Sequence, residues 1–86
     1  AEDELLSIIN YETRDTQIEI LESLAVIGTK KTIAFLRNKI PKQEIKDVKL
    51  KMVFCYNNLD SKGVDKLGLQ DPDTQKMINH IRKLEL

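Results

Sequence analysis

Eighty-six residues, 41% of them apolar and 33% charged, make one small domain at most and are too apolar for a disordered tail. Lys plus Arg and Asp plus Glu number 14 each, so the formal charge is zero and no overall field draws the chain to nucleic acid or an anionic membrane. Three Gly and two Pro are too few turn residues for a many-stranded sheet, and the single cysteine, Cys55, excludes an internal disulfide and zinc sites built on Cys pairs.

In chain order, Glu2, Asp3 and Glu4 precede Leu5, Leu6, Ile8 and Ile9, and acidic residues favour the positive end of a helix, so a short helix is predicted over about 3–11. Asp15 or Thr13 then caps a longer helix over about 15–27, whose apolar face is Ile20, Leu21, Leu24 and Ile27. Gly28 follows as a C-cap suited to the left-handed region. Thr29 restarts the chain into a helix over about 30–40 with Ile33, Leu36 and Ile40 on one face, ended by Pro41. Ile45, Val48, Met52, Cys55, Tyr56 and Leu59 recur at steps of three and four and mark the next long helix, broken by Asn57-Asn58 and Asp60-Ser61. A short helix over about 61–69 turns Val64 and Leu67 inward, and Asp71-Pro72-Asp73 starts a last helix over about 72–85 with Met77, Ile78, Ile81 and Leu84. The links are so short that consecutive helices must lie antiparallel.

The pattern repeats. Leu5, Leu36 and Leu67 lie 31 residues apart, and Ile33 to Val64 shares that step. In the long helices the step is 32, from Ile20 to Met52, Leu24 to Tyr56 and Ile27 to Leu59, because Gly28 has no counterpart in the second turn. Hairpins of this kind each carry an apolar stripe that only a neighbouring hairpin can bury.

The segment Ser23-Leu24-Ala25-Val26-Ile27-Gly28-Thr29-Lys30-Lys31-Thr32-Ile33-Ala34-Phe35-Leu36 resembles a HEAT-type hairpin, followed more loosely by residues 55–67, and Asp71-Pro72-Asp73 resembles the acidic turn between two such repeats. Thr29 stands where that family often has Asp, Lys30-Lys31 are basic, and the last helix has no partner helix after it. The resemblance implies an all-α fold, a short right-handed α-α superhelix of about three antiparallel hairpins. It implies a non-catalytic scaffold whose concave surface docks a protein partner. HEAT-like repeats also occur in bilin lyases and alkylpurine DNA glycosylases, but the absence of Trp departs from the latter.

His80 has no second His or Cys at ligand spacing and reads as a surface histidine. Cys55 lies on an apolar face with Met52 and Leu59 and reads as core, and Glu19, Glu22 and Asp15 as a solubilising face. Tyr56 aligns with Leu24 and is expected in the core, whereas Tyr11 is a candidate partner contact. Arg37, Lys39, Lys42, Lys46, Lys49 and Lys51 form a basic stretch, interrupted by Glu44 and Asp47, that is read as a solvated, partner-contacting face or as a nucleic-acid contact. We expect no enzymatic activity, no cofactor and no metal. The expected partner is an unidentified protein, with nucleic acid at 37–51 or a role as soluble tail of a membrane-anchored protein as alternatives. No apolar run approaches the roughly 20 residues of a membrane helix, so no membrane insertion by this segment is expected. The start at Ala1 rather than Met suggests one HEAT-like domain, 1–86, cut from a longer protein. The lone cysteine and the Lys-, Ile- and Asn-rich usage suggest a bacterial cytoplasmic one.

Overall fold

The computed structural model describes residues 1–85 and is all-α. Six helices follow one another: α1 (Glu2–Ile8), α2 (Arg14–Ile27), α3 (Lys30–Lys39), α4 (Lys46–Leu59), α5 (Ser61–Gln70) and α6 (Pro72–Glu85). Two 3₁₀ turns, Ile9–Tyr11 after α1 and Ile40–Lys42 after α3, tighten the ends of the short helices. Pro41 therefore does not stop the helix outright. It sits at the first positions of the second 3₁₀ turn, where a missing N–H costs nothing.

Side-chain caps set most starts. Thr13 Oγ1 accepts from Thr16 N at 3.5 Å, Thr29 Oγ1 from Lys31 N at 3.3 Å, and Asp60 Oδ1 from Gly63 N at 3.1 Å. Asp71 Oδ1 accepts from Asp73 N at 3.2 Å. α4 alone among the long helices starts without a side-chain cap: Ile45 occupies that position and is exposed, not core. Gly28 does end α2, but with φ −64° and ψ 149°, and no described residue has positive φ. Glycine is needed there for space. A Cβ would stand 2.5 Å from the Leu24 carbonyl oxygen and 2.8 Å from Leu59 Cδ1.

α4 is the hub, packing against α2, α3, α5 and α6. Its most extensive partner is α2. Arg14 pairs with Asp47 near the two N-termini, Glu22 lies 3.7 Å from Lys51 midway, and Asn58 donates to the Ala25 carbonyl at 3.1 Å near the C-termini. The pairs come in the same order along both helices, so α2 and α4 run parallel, side by side. α5 folds back on α4 through Asp60 alone, and α6 on α5 through Asp71 alone.

The core follows the apolar periodicity: Ile20, Leu24, Leu36, Val48, Met52, Tyr56, Val64 and Ile78 are all buried. Ile9 and Ile40, one in each 3₁₀ turn and 31 residues apart, are buried too. Ile27 and Leu84, expected on inward faces, are 44% and 71% exposed, since both lie in the final turns of helices. Gly68 lets α5 and α6 approach closely: a Cβ there would reach 2.9 Å from Ile78 Cδ1.

Candidate interaction surface

The basic stretch does not form one face. Helix geometry and packing send its members to four places. Arg37, on α3, is exposed, and its Nε donates to the phenol oxygen of buried Tyr56 at 3.3 Å. That hydrogen bond, and then the nearby Tyr56 and Asp60, raise the guanidinium pKa further above its ordinary value and fix the side chain in place. Lys39 is half-buried. Lys42 reaches Asn38 at 3.4 Å and, with Lys46 and Lys76, lines a cleft of about 800 Å³ at the N-terminal ends of α4 and α6. Lys51 stands 5.7 Å over the Phe54 ring and pairs with Glu22.

Lys49, with Asp71, lines the same cleft as Lys42 and Lys46 but is mostly buried, not a solvated side chain. Its side chain is only 7% exposed, and its ammonium lies 2.8 Å from Asp71 Oδ2. The carboxylate also accepts from the Thr74 hydroxyl at 2.7 Å and from the Asp73 backbone N–H. Burial by itself would raise the Asp71 pKa, but the bonds from Lys49, Thr74 and Asp73 outweigh it and hold the carboxyl below its usual range. The sequence hid this pair because a lysine at a helical spacing that also carries surface lysines gives no sign of burial. Tyr11 is 88% exposed on its 3₁₀ turn, which packs on α1 and α2 and contributes to none of the clefts described here.

The remaining candidates fall as follows. His80 is exposed on α6. Asp15 pairs with Arg14 and Glu22 with Lys51, while Glu19 is exposed. Cys55 is fully buried, and burial pushes its thiol up to about 12, which leaves no thiolate for nucleophilic attack at neutral pH. No group of three or more metal-ligating side chains occurs, and no helix is long and apolar enough to cross a membrane, among the described residues.

Two arrangements lay beyond the reach of sequence reasoning. Glu2, on α1, accepts from Thr29 N at 2.7 Å, Thr29 Oγ1 at 2.8 Å and Thr32 Oγ1 at 2.6 Å, so its carboxylate completes the N-terminus of α3 from 27 residues away. The Thr32 hydroxyl first, then the Thr29 N–H, hold its pKa down to about 2. The second arrangement is a cleft of about 440 Å³ between α3 and α5, lined by Arg37, Lys62, Lys66 and Gln70 around Gly63, with Tyr56 and Asp60 at its base. Lys62, Lys66 and Gln70 are spaced four residues apart, one stripe of a helix, and that spacing was the available signal.

Fold and surface together define an all-α chain with two polar clefts, one lined by Arg37, Lys62 and Lys66, the other by lysines and acids together. Compared with known proteins, the chain matches no family model, no curated protein and no solved structure.

Proposed function

We propose that this chain is a HEAT-like repeat segment, a short right-handed α-α superhelix, and that it works as a non-catalytic protein-interaction module. The observation that carries the reading is the parallel, in-register stacking of α2 on α4, each 14 residues long and each followed by a 10-residue helix. Ile9 and Ile40, buried in matching 3₁₀ turns, extend that correspondence to α1. Stacked hairpins bury each other's apolar stripes and present one set of helices as a docking surface. In this reading α3 and α5 form that surface. Glu2 supports it further: its carboxylate binds at the start of α3, where Thr29 replaces the Asp that the resembling family often carries.

Nucleic-acid binding through residues 37–51 is less well supported. The basic residues are split between separate clefts, Lys49 is tied to Asp71, and residues 37–51 hold no aromatic side chain on which a base could stack.

Site-specific photo-crosslinking tests the module reading. A benzoylphenylalanine placed at position 66 on α5, or at position 80 on α6 as control, is introduced into the intact protein in its own cells. Nuclease-resistant protein adducts from position 66 and none from position 80 are expected. Adducts equal at both positions, or adducts that nuclease removes, would overturn the reading.

A further inference from the structure

We propose that the cleft between α3 and α5 is a carboxylate-binding site that receives an acidic peptide segment of a protein partner, a proposal that rests on the module reading above. Three cations converge on it: Arg37 from α3, Lys62 and Lys66 from α5. Lys62 and Lys66 are one helical turn apart, a like-charge spacing that is mildly unfavourable in a helix and that a bound anion would relieve. Neither lysine, nor Arg37, has an ion pair within 4.0 Å among the described residues.

The acids nearby are already engaged. Asp60 lines the cleft, but its Oδ1 accepts from Gly63 N, capping α5. Asp65, on the same helix, is held by Arg82 at 2.7 Å. The cleft therefore carries an excess of two positive charges, three cations against Asp60.

Arg37 is the anchor. Its Nε is spent on Tyr56, which fixes the plane of the guanidinium and leaves the two terminal nitrogens, the fork that grips a carboxylate with two parallel bonds. Gly63 keeps the floor open, since a Cβ there would lie 2.9 Å from the Tyr56 oxygen. Gln70 extends the stripe with an amide able to bond a peptide backbone. A compact cluster of this size matches a few neighbouring carboxylates better than a phosphodiester track, which needs cations strung along a groove and ring faces beside them.

The test is fluorescence anisotropy of a labelled octaglutamate peptide titrated with the purified protein at about 20 mM salt, where exposed charges are weakly screened. Saturable binding that weakens with added salt is expected. Lys62→Glu with Lys66→Glu should weaken it about a hundredfold and Arg37→Lys about fivefold. Lys42→Glu with Lys46→Glu, in the other cleft, makes the same net-charge change and should weaken binding far less, by under about tenfold. Thermal melts of each variant guard against misfolding, and the two α5 lysines, exposed and without an ion-pair partner among the described residues, are safe to reverse. The proposal is overturned by absence of saturable binding, by equal binding to the Lys62/Lys66 reversal, or by tighter binding of an oligothymidylate of the same length. Crosslinks to protein from position 66 alongside no peptide binding would overturn this site while leaving the module reading intact. Loss of both would remove the module reading as well.

Discussion

Asp71→Ala is the most informative single perturbation of the fold. The Lys49 ammonium has Asp71 as its ion-pair partner and a side chain only 7% exposed, so removing the carboxylate strands a buried charge. Breaking a buried pair from one side costs about 3–5 kcal/mol, and loss of the α6 cap adds about 1 kcal/mol. Asp71 is itself 15% exposed at the cleft rim and the lysine can partly reach water there, so we take about 4 kcal/mol for the sum. Lys49→Met removes the other partner at similar volume. It leaves Asp71 with Thr74 and the Asp73 N–H, so about 1–2 kcal/mol is expected. The double variant carries no buried charge and should be more stable than Asp71→Ala alone, despite the extra substitution. Urea unfolding followed by far-ultraviolet circular dichroism measures all three. With a slope near 1 kcal/mol/M, Asp71→Ala should lower the midpoint by about 4 M, or leave the chain unfolded in water. Equal costs for the two single variants, or a double variant no better than Asp71→Ala, would refute the reasoning.

Three further outcomes follow from other contacts. The Glu2 carboxyl is held at about 2 against an ordinary value near 4.5, so its contribution is present above pH ~4.5 and is lost as pH falls toward 2. Glu2→Gln should flatten the acid limb of a stability-against-pH curve in that window, and an unchanged limb would contradict the assignment. Gly28→Ala forces a Cβ against the Leu24 carbonyl and Leu59, and should cost about 1–3 kcal/mol in the same urea assay, more than Gly68→Ala, whose closest neighbours are side-chain atoms of Gln75 and Ile78, not backbone. Cys55 should react with an aromatic disulfide reagent at pH 8 only after urea unfolds the chain; reaction at the rate of a free thiol in the folded protein would contradict its burial.

Helix positions were legible because the apolar residues mark faces at helical spacing and because Thr13, Thr29, Asp60 and Asp71 are residues whose side chains cap. Tyr56 was placed in the core from its alignment with Leu24, and it is buried. What was not legible depends on contacts between distant segments. Gly28 reads as a left-handed cap in sequence, yet the pressure on it comes from Leu59 and from its own helix end. Lys49 looks like its neighbours Lys46 and Lys51, and only the approach of α6 distinguishes it. The α3–α5 cleft is not legible in sequence because Arg37 stands among the lysines of 39–51 there, whereas packing sets it beside Lys62 and Lys66.

The long reach of Glu2 has a consequence for how the first third of the chain is secured. Thr29 caps α3 from within, but α3 also takes a carboxylate from α1, which packs directly on it, reinforced by Lys31 holding Asp3 at 3.1 Å. The start of α3 is thus latched to α1. Native-state hydrogen exchange should therefore show the Thr29 amide and α1 losing protection together, ahead of α4.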